Sequence, residues 1–129
     1  MNILLTNDDG IHSEALRVLN DCLVKKHRVT VVAPDRERSA VSHGITLQRP
    51  LRANRVALND HATGFSVNGT PADCVKLALL DLLETSPDIV VAGINPGVNL
   101  GVNVNYSGTV AAAREAALGG VAAISVSAA

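Results

Sequence analysis

The sequence has 129 residues, of which 47% are hydrophobic and 18% charged, and its net charge is −1. This composition is typical of one globular domain, and so small a net charge gives no reason to expect attraction to nucleic acid or to a membrane surface. The apolar runs are too short to cross a bilayer, and a strand pattern starts at Asn2 without a charged leader. We therefore expect a cytoplasmic protein that binds neither nucleic acid nor membranes.

Apolar periodicity predicts strands alternating with helices in the first part of the chain. Asn2–Thr6 is a short apolar run, and Ser13–Lys25 has the spacing of an amphipathic helix. Arg28–Ala33 is a continuous β-branched run that ends at Pro34, as expected for a strand covered on both faces.

The middle of the chain has a different pattern. It contains turn-forming residues and short alternating pieces such as Ile45–Leu47 and Phe65–Val67. This pattern predicts a long loop followed by a small β-hairpin excursion.

The alternation returns after Gly69. Thr70–Glu84 is predicted to be a helix, followed by a strand at Asp88–Ile94, a helix at Thr109–Leu118 and a strand at Val121–Val126. Strands that alternate with helices indicate an α/β fold with a doubly wound, mostly parallel sheet.

Both cysteines, Cys22 and Cys74, fall within helical apolar patterns. We expect them to be reduced thiols in the core, and not a disulfide or a metal pair.

Three unusual loops follow predicted strands: NDDGIHS, PDRERSAVSHG and NPGVNLGVNVNYSGT. In a doubly wound sheet, ligands bind outside the carboxyl ends of the strands, where the strand order reverses. We expect the first and third loops to flank that point and all three loops to converge on one crevice.

Asp8 and Asp9 stand side by side where the first strand ends. Two carboxylates this close repel each other, and a divalent cation removes the conflict; oxygen ligands favour Mg²⁺, Mn²⁺ or Ca²⁺. The alternative is structural, with Asp8 as a loop cap and Asp9 as a solvated turn residue before Gly10. The pair by itself supports both interpretations about equally.

The third loop changes this balance. It is long, rich in Asn and Gly and nearly free of charge, and it ends in Ser107, Gly108 and Thr109 at a predicted helix start. Backbone N–H groups at a helix start bind anions, and the two hydroxyls add donors, although both residues are also ordinary capping residues. A metal and an anion in one crevice indicate a phosphate ester as the substrate.

Five segments, in chain order, resemble the SurE family of metal-dependent nucleotide phosphatases: LLTNDDGI, VVAPDRERSAVSHGITL, VNGTPADCV, DIVVAGIN and NYSGTVAAA. The resemblance implies a Rossmann-like core, one divalent ion (Mg²⁺ or Mn²⁺, with Ca²⁺ able to take its place in a crystal) and a homodimer or larger assembly. It also implies hydrolysis of nucleoside 5′- and 3′-monophosphates, and in some members of polyphosphate.

The resemblance also implies roles for particular residues. The implied metal ligands are Asp8, Asp9, Ser39 and Asn95. The implied substrate and phosphate ligands are Asn95, Ser107, Gly108 and Thr109. Either Asp8 or Asp9 is expected to orient the attacking water, and the sequence does not distinguish them.

Two departures from the family qualify these expectations. Val102 and Asn103 stand where the family usually has an acidic pair, so activity is expected to be weak if those acids support the metal. Family members also continue beyond the last predicted strand. We therefore expect residues 1–129 to form a single Rossmann-like domain, equivalent to the amino-terminal portion of the family fold. Such a domain is expected to expose apolar surface, self-associate and turn over nucleotides slowly.

Two other functions compete with the phosphatase. A receiver-like signalling domain also has paired acids after its first strand, but it needs an Asp after the third strand and a Lys after the last. Asn95 and Ser125–Ala129 occupy those places. An inactive or interaction-only fragment of the fold is the second alternative.

His12 and His43 lie in the site loops, either as proton donors to the leaving oxygen or as loop-bracing residues.

Overall fold

A computed structural model describes residues 1–38 and 43–129, which form one six-stranded sheet with helices on both faces. The strands are β1 (Asn2–Thr6), β2 (Arg28–Pro34), β3 (Ala53–Ala57), β4 (Thr63–Val67), β5 (Ile89–Pro96) and β6 (Ala122–Ala128). The α-helices are α1 (Glu14–Leu23), α2 (Pro71–Leu77) and α3 (Gly108–Leu118). A π-helical turn at Ala78–Leu82 continues α2, and a 3₁₀ turn at Gly101–Asn105 precedes α3.

The strand order is β3-β4-β2-β1-β5-β6, with β3 antiparallel to β4 and the other neighbours parallel. Leu4 of β1 is in register with Thr30 of β2 and with Val90 of β5. Strands β2, β3 and β4 all lie on one side of β1, and the chain then crosses to β5 on the other side. The strand order therefore reverses between β1 and β5, as the sequence predicts.

Alternate residues of β1 point to opposite faces of the sheet and belong to two apolar clusters. Leu4 packs with Val75 of α2 and Ala112 of α3, whereas Ile3 and Leu5 pack with Leu16 of α1. Because β1 is buried on both faces, its carboxyl end emerges from the centre of the molecule, between the starts of the helices.

Several predicted elements differ from the structure. The predicted hairpin is present as the antiparallel pair β3–β4, and β4 also pairs in parallel with β2, so the hairpin extends the main sheet. Ile45–Leu47 is not a strand: the backbone N–H of Thr46 donates to the Asp73 carboxylate. The helix predicted over Thr70–Glu84 is shorter, with a π-helical turn after Leu77.

The cysteine prediction is half correct. Both thiols are free, and Cys74 is buried in the core, but Cys22 is exposed because it lies on the outward side of α1. Within the described ranges, no helix combines the length and the apolar character that crossing a membrane requires.

Candidate active site

Asn7 shapes the loop that follows β1. Its side chain is 1% exposed, donates to the Gly10 carbonyl oxygen (3.0 Å) and accepts from the Gly10 N–H (3.1 Å). Gly10 has a φ of +107°, a conformation that favours glycine. These two hydrogen bonds close a tight turn around Asp8 and Asp9, so both carboxylates are held where β1 ends.

Asp8 lies against the start of α3. A Cβ atom placed on Gly108 would be 3.1 Å from Cβ of Asp8 and 3.2 Å from Cγ of Pro71. The absence of a side chain at Gly108 therefore lets the end of β1 approach the helix start. The structure thus brings together Asp8, Gly108 and Thr109, as predicted.

The loop after β2 reaches the same place. The backbone N–H of Arg38 donates to the carbonyl oxygen of Asp8 at 2.7 Å, and the Arg38 carbonyl oxygen lies 3.4 Å from a Cβ placed on Gly108. The predicted ligand Ser39 follows directly but lies outside the described residues. The contacts of Arg38 bring the second predicted loop to Asp8.

Burial dominates the electrostatics of the two carboxyl groups. It raises the pKa of Asp8 above its ordinary value, and the nearby hydroxyl and backbone of Thr109 work against that rise. Burial, followed by the negative charges of Asp8 and Glu37, also raises the pKa of Asp9. Two carboxyl groups that resist ionisation at one place are stabilised in their charged form by a cation.

Buried polar atoms without hydrogen bonds gather around the end of β1. In the part of the chain that the structure describes, such side-chain atoms are Oγ1 of Thr6, Oδ1 of Asp8, Nε of Arg38 and Oγ1 of Thr109. A folded protein normally satisfies buried polar groups, and exceptions are concentrated where a ligand or catalysis uses them. This set of three oxygen acceptors and one N–H donor suits both a cation and a phosphate oxygen.

Ser107 caps α3. Its hydroxyl accepts a hydrogen bond from the N–H of Val110 at 3.2 Å, which is the capping role that the sequence left open. The hydroxyl proton is still available for a second hydrogen bond, so capping is compatible with donation to an anion. Ser107 and Thr109 are both buried at the helix start.

Asn95 lies near the carboxyl end of β5, the strand next to β1. Its side-chain nitrogen donates to the Gly97 carbonyl oxygen at 3.1 Å. This hydrogen bond is made within its own loop, and the predicted contact with the metal therefore remains a prediction.

The donor chemistry fits a hard divalent cation. Within residues 1–38 and 43–129, no group of three or more His, Cys, Asp and Glu side chains is close enough to hold a metal. The predicted set does not need such a group, because Asp8 and Asp9 supply the charge and neutral oxygens complete the shell. The unpartnered Oδ1 of Asp8 is a free acceptor for this purpose.

Thr6 is a residue at the candidate site that the sequence analysis did not single out, and Arg38 adjoins Asp8 as well. Thr6 is a small polar residue at the end of an otherwise apolar strand, and Arg38 directly precedes a predicted ligand. These two positions could have identified Thr6 and Arg38 as neighbours of the site from the sequence. A cavity of about 390 Å³ lies elsewhere, at the amino ends of β1 and β2, and contains none of the predicted site residues.

His43, the other histidine in a site loop, pairs with Glu115. His43 Nε2 lies 2.6 Å from Oε2 of Glu115 on α3. This contact favours the bracing role for His43 over the role of proton donor.

Comparisons with known proteins agree with the geometry. The family profile described as "Survival protein SurE" matches residues 3–129. The chain is 63% identical over 127 residues to the 5′-nucleotidase SurE of Desulfatibacillum aliphaticivorans, and the match covers 98% of this chain and 50% of the relative. It is 56% identical to the 5′-nucleotidase SurE of Carboxydothermus hydrogenoformans, covering 98% of this chain and 49% of that relative.

A solved structure shows the same fold. The crystal structure of the SurE protein from Aquifex aeolicus superposes with a TM-score of 0.85 and 41% sequence identity, covering 98% of this chain and 50% of that one. The chain thus spans about half the length of the relatives it matches. On the family profile and these identities, the chain belongs to the SurE family.

Proposed function

We propose that the protein is a metal-dependent phosphomonoesterase, a 5′-nucleotidase that hydrolyses nucleoside 5′-monophosphates to nucleoside and phosphate. We extend the proposal to 3′-monophosphates and polyphosphate. The observation that carries it is the unpartnered Oδ1 of Asp8, buried beside the start of α3. Relatives that bear the name 5′-nucleotidase SurE support the substrate class.

In this proposal, Asp8, Asp9, Ser39 and Asn95 hold one Mg²⁺ or Mn²⁺ ion, and Ca²⁺ has the same ligand preference. A bound divalent cation supplies Lewis-acid polarisation of a phosphoryl oxygen. Two carboxylates balance its charge, while the hydroxyl and the amide add none. A phosphate dianion therefore approaches the site without net repulsion.

The start of α3 is proposed to bind the phosphate. Its free backbone N–H groups and the hydroxyls of Ser107 and Thr109 are donors, and the helix dipole favours an anion at this end. Gly108 leaves room for an oxygen to approach the backbone. Oγ1 of Thr109 is buried and makes no hydrogen bond of good geometry within the described residues, so its O–H is able to donate to a phosphate oxygen.

Asp8 and Asp9 are proposed to have different roles in the reaction. Asp9 is the more accessible of the two, and a carboxylate oxygen of Asp9 that the cation does not use is able to accept a proton from the attacking water. Asp8 is 5% exposed and packed against Gly108, so it orients the reacting groups. The water oxygen bonds to phosphorus as a water proton passes to Asp9, the ester P–O bond breaks, and the leaving nucleoside oxygen takes up a proton from solvent.

The test is phosphate release from a panel of substrates with Mn²⁺ or Mg²⁺. The panel holds nucleoside 5′- and 3′-monophosphates, polyphosphate and a sugar phosphate that lacks a base. We expect the 5′-monophosphates to be hydrolysed fastest and only in the presence of the cation. No release from any of them would favour the inactive, interaction-only alternative, for which Val102 and Asn103 offer a reason.

We also propose an assembly and a location. Residues 1–129 act as one Rossmann-like domain that associates into a homodimer or larger homo-oligomer. Exposed apolar side chains after β5, such as Val98, Leu100 and Val102, support this association. The exposed free thiol of Cys22 is compatible with the reducing cytoplasm.

A further inference from the structure

The residues at the end of β2, 34–38, run alongside the loop that follows β1. The N–H of Ile11 donates to the Pro34 carbonyl oxygen at 2.8 Å, and the N–H of Arg38 donates to the Asp8 carbonyl oxygen at 2.7 Å. These two hydrogen bonds attach both ends of the β1 loop to the same short segment. The segment therefore supports the loop that carries the two site carboxylates.

The middle of the β1 loop packs directly on the backbone of this segment. A Cβ atom on Gly10 would lie 3.1 Å from the carbonyl carbon of Arg36 and 3.3 Å from its Cα, which is closer than ordinary van der Waals contact. Only a residue without a side chain allows this approach, in agreement with the positive φ of Gly10. A displacement of residues 34–38 is therefore passed on to the β1 loop.

The backbone of Arg38 lies in the corner where the β1 loop meets α3. Its N–H is bonded to Asp8, and its carbonyl oxygen lies 3.4 Å from a Cβ atom placed on Gly108. One residue thus contacts both the carboxylate loop and the start of the helix that is proposed to bind phosphate. Whatever fixes the backbone of Arg38 also steadies this corner of the site.

The side chain of Arg38 folds back onto its own segment. Nη2 of Arg38 donates to Oδ1 of Asp35 at 3.2 Å, and the Arg38 side chain is only 15% exposed. Asp35 is anchored in turn, because its N–H donates to the carbonyl oxygen of Val67 at the end of β4, at 2.7 Å. A continuous path of hydrogen bonds therefore leads from the sheet through Asp35 and Arg38 to Asp8. A guanidinium so far removed from water is costly to leave without its carboxylate.

We propose that Asp35 and Arg38 are positioning residues, whose ion pair holds the backbone of Arg38 against Asp8 and the start of α3. The inference rests on the proposed function for its effect on cation and phosphate binding. Without the pair, the guanidinium turns toward solvent, the Asp8 carbonyl oxygen loses its N–H donor, and the carboxylates are held less firmly for the cation. The pair acts through the backbone and not by contact with substrate.

A direct contact of the Arg38 guanidinium with phosphate is the competing role. Nε of Arg38 is buried and makes no hydrogen bond within the described residues, so it is a donor that a phosphate oxygen could use. The two roles differ in what they require of Asp35. Positioning needs Asp35 as much as Arg38, whereas direct contact needs Arg38 alone.

Asp35→Ala is the main variant, because it removes the pair and leaves the Arg38 side chain present. Asp35 is 42% exposed, so this substitution leaves the core intact. Arg38→Ala removes the other partner, and Asp35→Asn keeps an acceptor for the guanidinium. The matched control is Arg17→Ala, which breaks an ion pair of the same spacing with Glu14, on an exposed part of α1.

Mn²⁺ affinity is measured by calorimetry, phosphate affinity by inhibition, and amide hydrogen exchange of residue 38 by NMR. We expect Asp35→Ala and Arg38→Ala each to weaken Mn²⁺ binding about fivefold, which corresponds to about 1 kcal/mol, the upper end for an ion pair that is partly exposed. Phosphate inhibition should weaken to a similar extent in both variants, and the double alanine variant should be no worse than either single one.

Exchange at residue 38 should accelerate in Asp35→Ala and Arg38→Ala, while exchange of the buried Leu5 amide stays unchanged and shows that the fold is intact. Asp35→Asn and the Arg17→Ala control should stay close to the wild type in all three measurements.

The inference would be overturned if Asp35→Ala bound Mn²⁺ with wild-type affinity and residue 38 exchanged at the wild-type rate. It would also be overturned if Arg38→Ala weakened phosphate inhibition and Asp35→Ala did not, because that result would assign the guanidinium a direct contact with phosphate. Amide exchange does not depend on activity. If the wild-type protein releases no phosphate, the proposed function fails, and exchange at residue 38 still decides whether the pair holds the backbone.

Discussion

Gly108 and Asp8 are in direct contact: a Cβ atom on Gly108 would lie 3.1 Å from Cβ of Asp8. Asp8 follows the central strand and Gly108 starts α3, so two residues a hundred positions apart in the sequence form one boundary between the β1 loop and the helix start. This proximity places the Asp8 carboxylate beside the N–H groups at the start of α3, where both are proposed to act on one phosphate. Three of the predictions concern this boundary.

Replacing Gly108 with Val should disrupt the proposed phosphate site. The Cβ of the added side chain would lie 3.1 Å from Asp8 and 3.2 Å from Pro71, closer than ordinary van der Waals contact, at a cost of about 1–3 kcal/mol from overpacking. Losing one hydrogen bond to a phosphate costs about 1.5–3 kcal/mol, so inhibition by phosphate or vanadate should weaken by roughly tenfold or more.

The matched control for this experiment is Ala117→Val, which adds bulk to the exposed side of the same helix. It should leave the inhibition constant unchanged. A Gly108→Val protein that is folded and inhibited as strongly as the wild type would show that the anion binds elsewhere.

The pH dependence of stability should report the raised pKa values of Asp8 and Asp9. Folding raises the pKa of Asp8 and Asp9 above the ordinary value of 3.8, so the folded state binds more protons than the unfolded chain. Their contribution to stability is full below the unfolded pKa and is lost as pH rises through the folded pKa. Without divalent cations, Asp8→Asn should therefore melt at a higher temperature than the wild type at neutral pH.

This difference should shrink as the pH approaches the unfolded pKa of the carboxyl groups, and added Mn²⁺ should stabilise the wild type more than the variant. Thermal melts over a pH series, followed by circular dichroism, measure both effects. An Asp8→Asn protein less stable than the wild type at every pH would indicate that the Asp8 carboxylate makes a structural contact.

Ser107→Ala should affect both stability and phosphate binding. Loss of the cap to the Val110 N–H should lower the free energy of unfolding by about 1 kcal/mol. Phosphate inhibition should weaken as well, because the hydroxyl is proposed to donate to the anion. Ser107→Thr keeps a hydroxyl and should restore both properties; denaturant unfolding and inhibition assays give the two values. A Ser107→Ala protein with normal inhibition would limit Ser107 to capping.

Much of the fold is predictable because its strands are local apolar runs. The predicted bounds of β1 agree with the structure, and those of β2 and β5 differ by at most two residues. The placement of β4 beside β2 was not predictable, because local periodicity does not report pairing between residues 33 positions apart, such as Val32 and Phe65.

In the candidate site, too, local features were predictable from the sequence and long-range contacts were not. Asp8, Gly108 and Thr109 could be placed together because strand order and loop position predict the crevice. The hydrogen bond from Arg38 to Asp8 and the pair of His43 with Glu115 depend on packing between distant segments. No residue spacing encodes these contacts, so the sequence predicted the place of the site better than its internal connections.

The protein should self-associate in solution. Leu118 at the end of α3 is 78% exposed, and Ile124 of β6, at the edge of the sheet, is 49% exposed. Apolar groups and an unpaired strand edge favour association. Multi-angle light scattering should report a dimer or a larger species, and Ile124→Lys should shift the population toward smaller species. A monodisperse monomer with full nucleotidase activity would contradict the proposed assembly.

The central claim is that Asp8 and Asp9 form a cation site at the end of β1, and calorimetric titration with Mn²⁺ tests it most directly. The wild type should bind one ion, and Asp8→Asn and Asp9→Asn should each lower the affinity by at least about tenfold while the circular dichroism spectrum stays unchanged. Asp60→Asn, in the β3–β4 turn, is the control and should bind as the wild type does. Mn²⁺ binding that is equal in all four proteins would contradict the account.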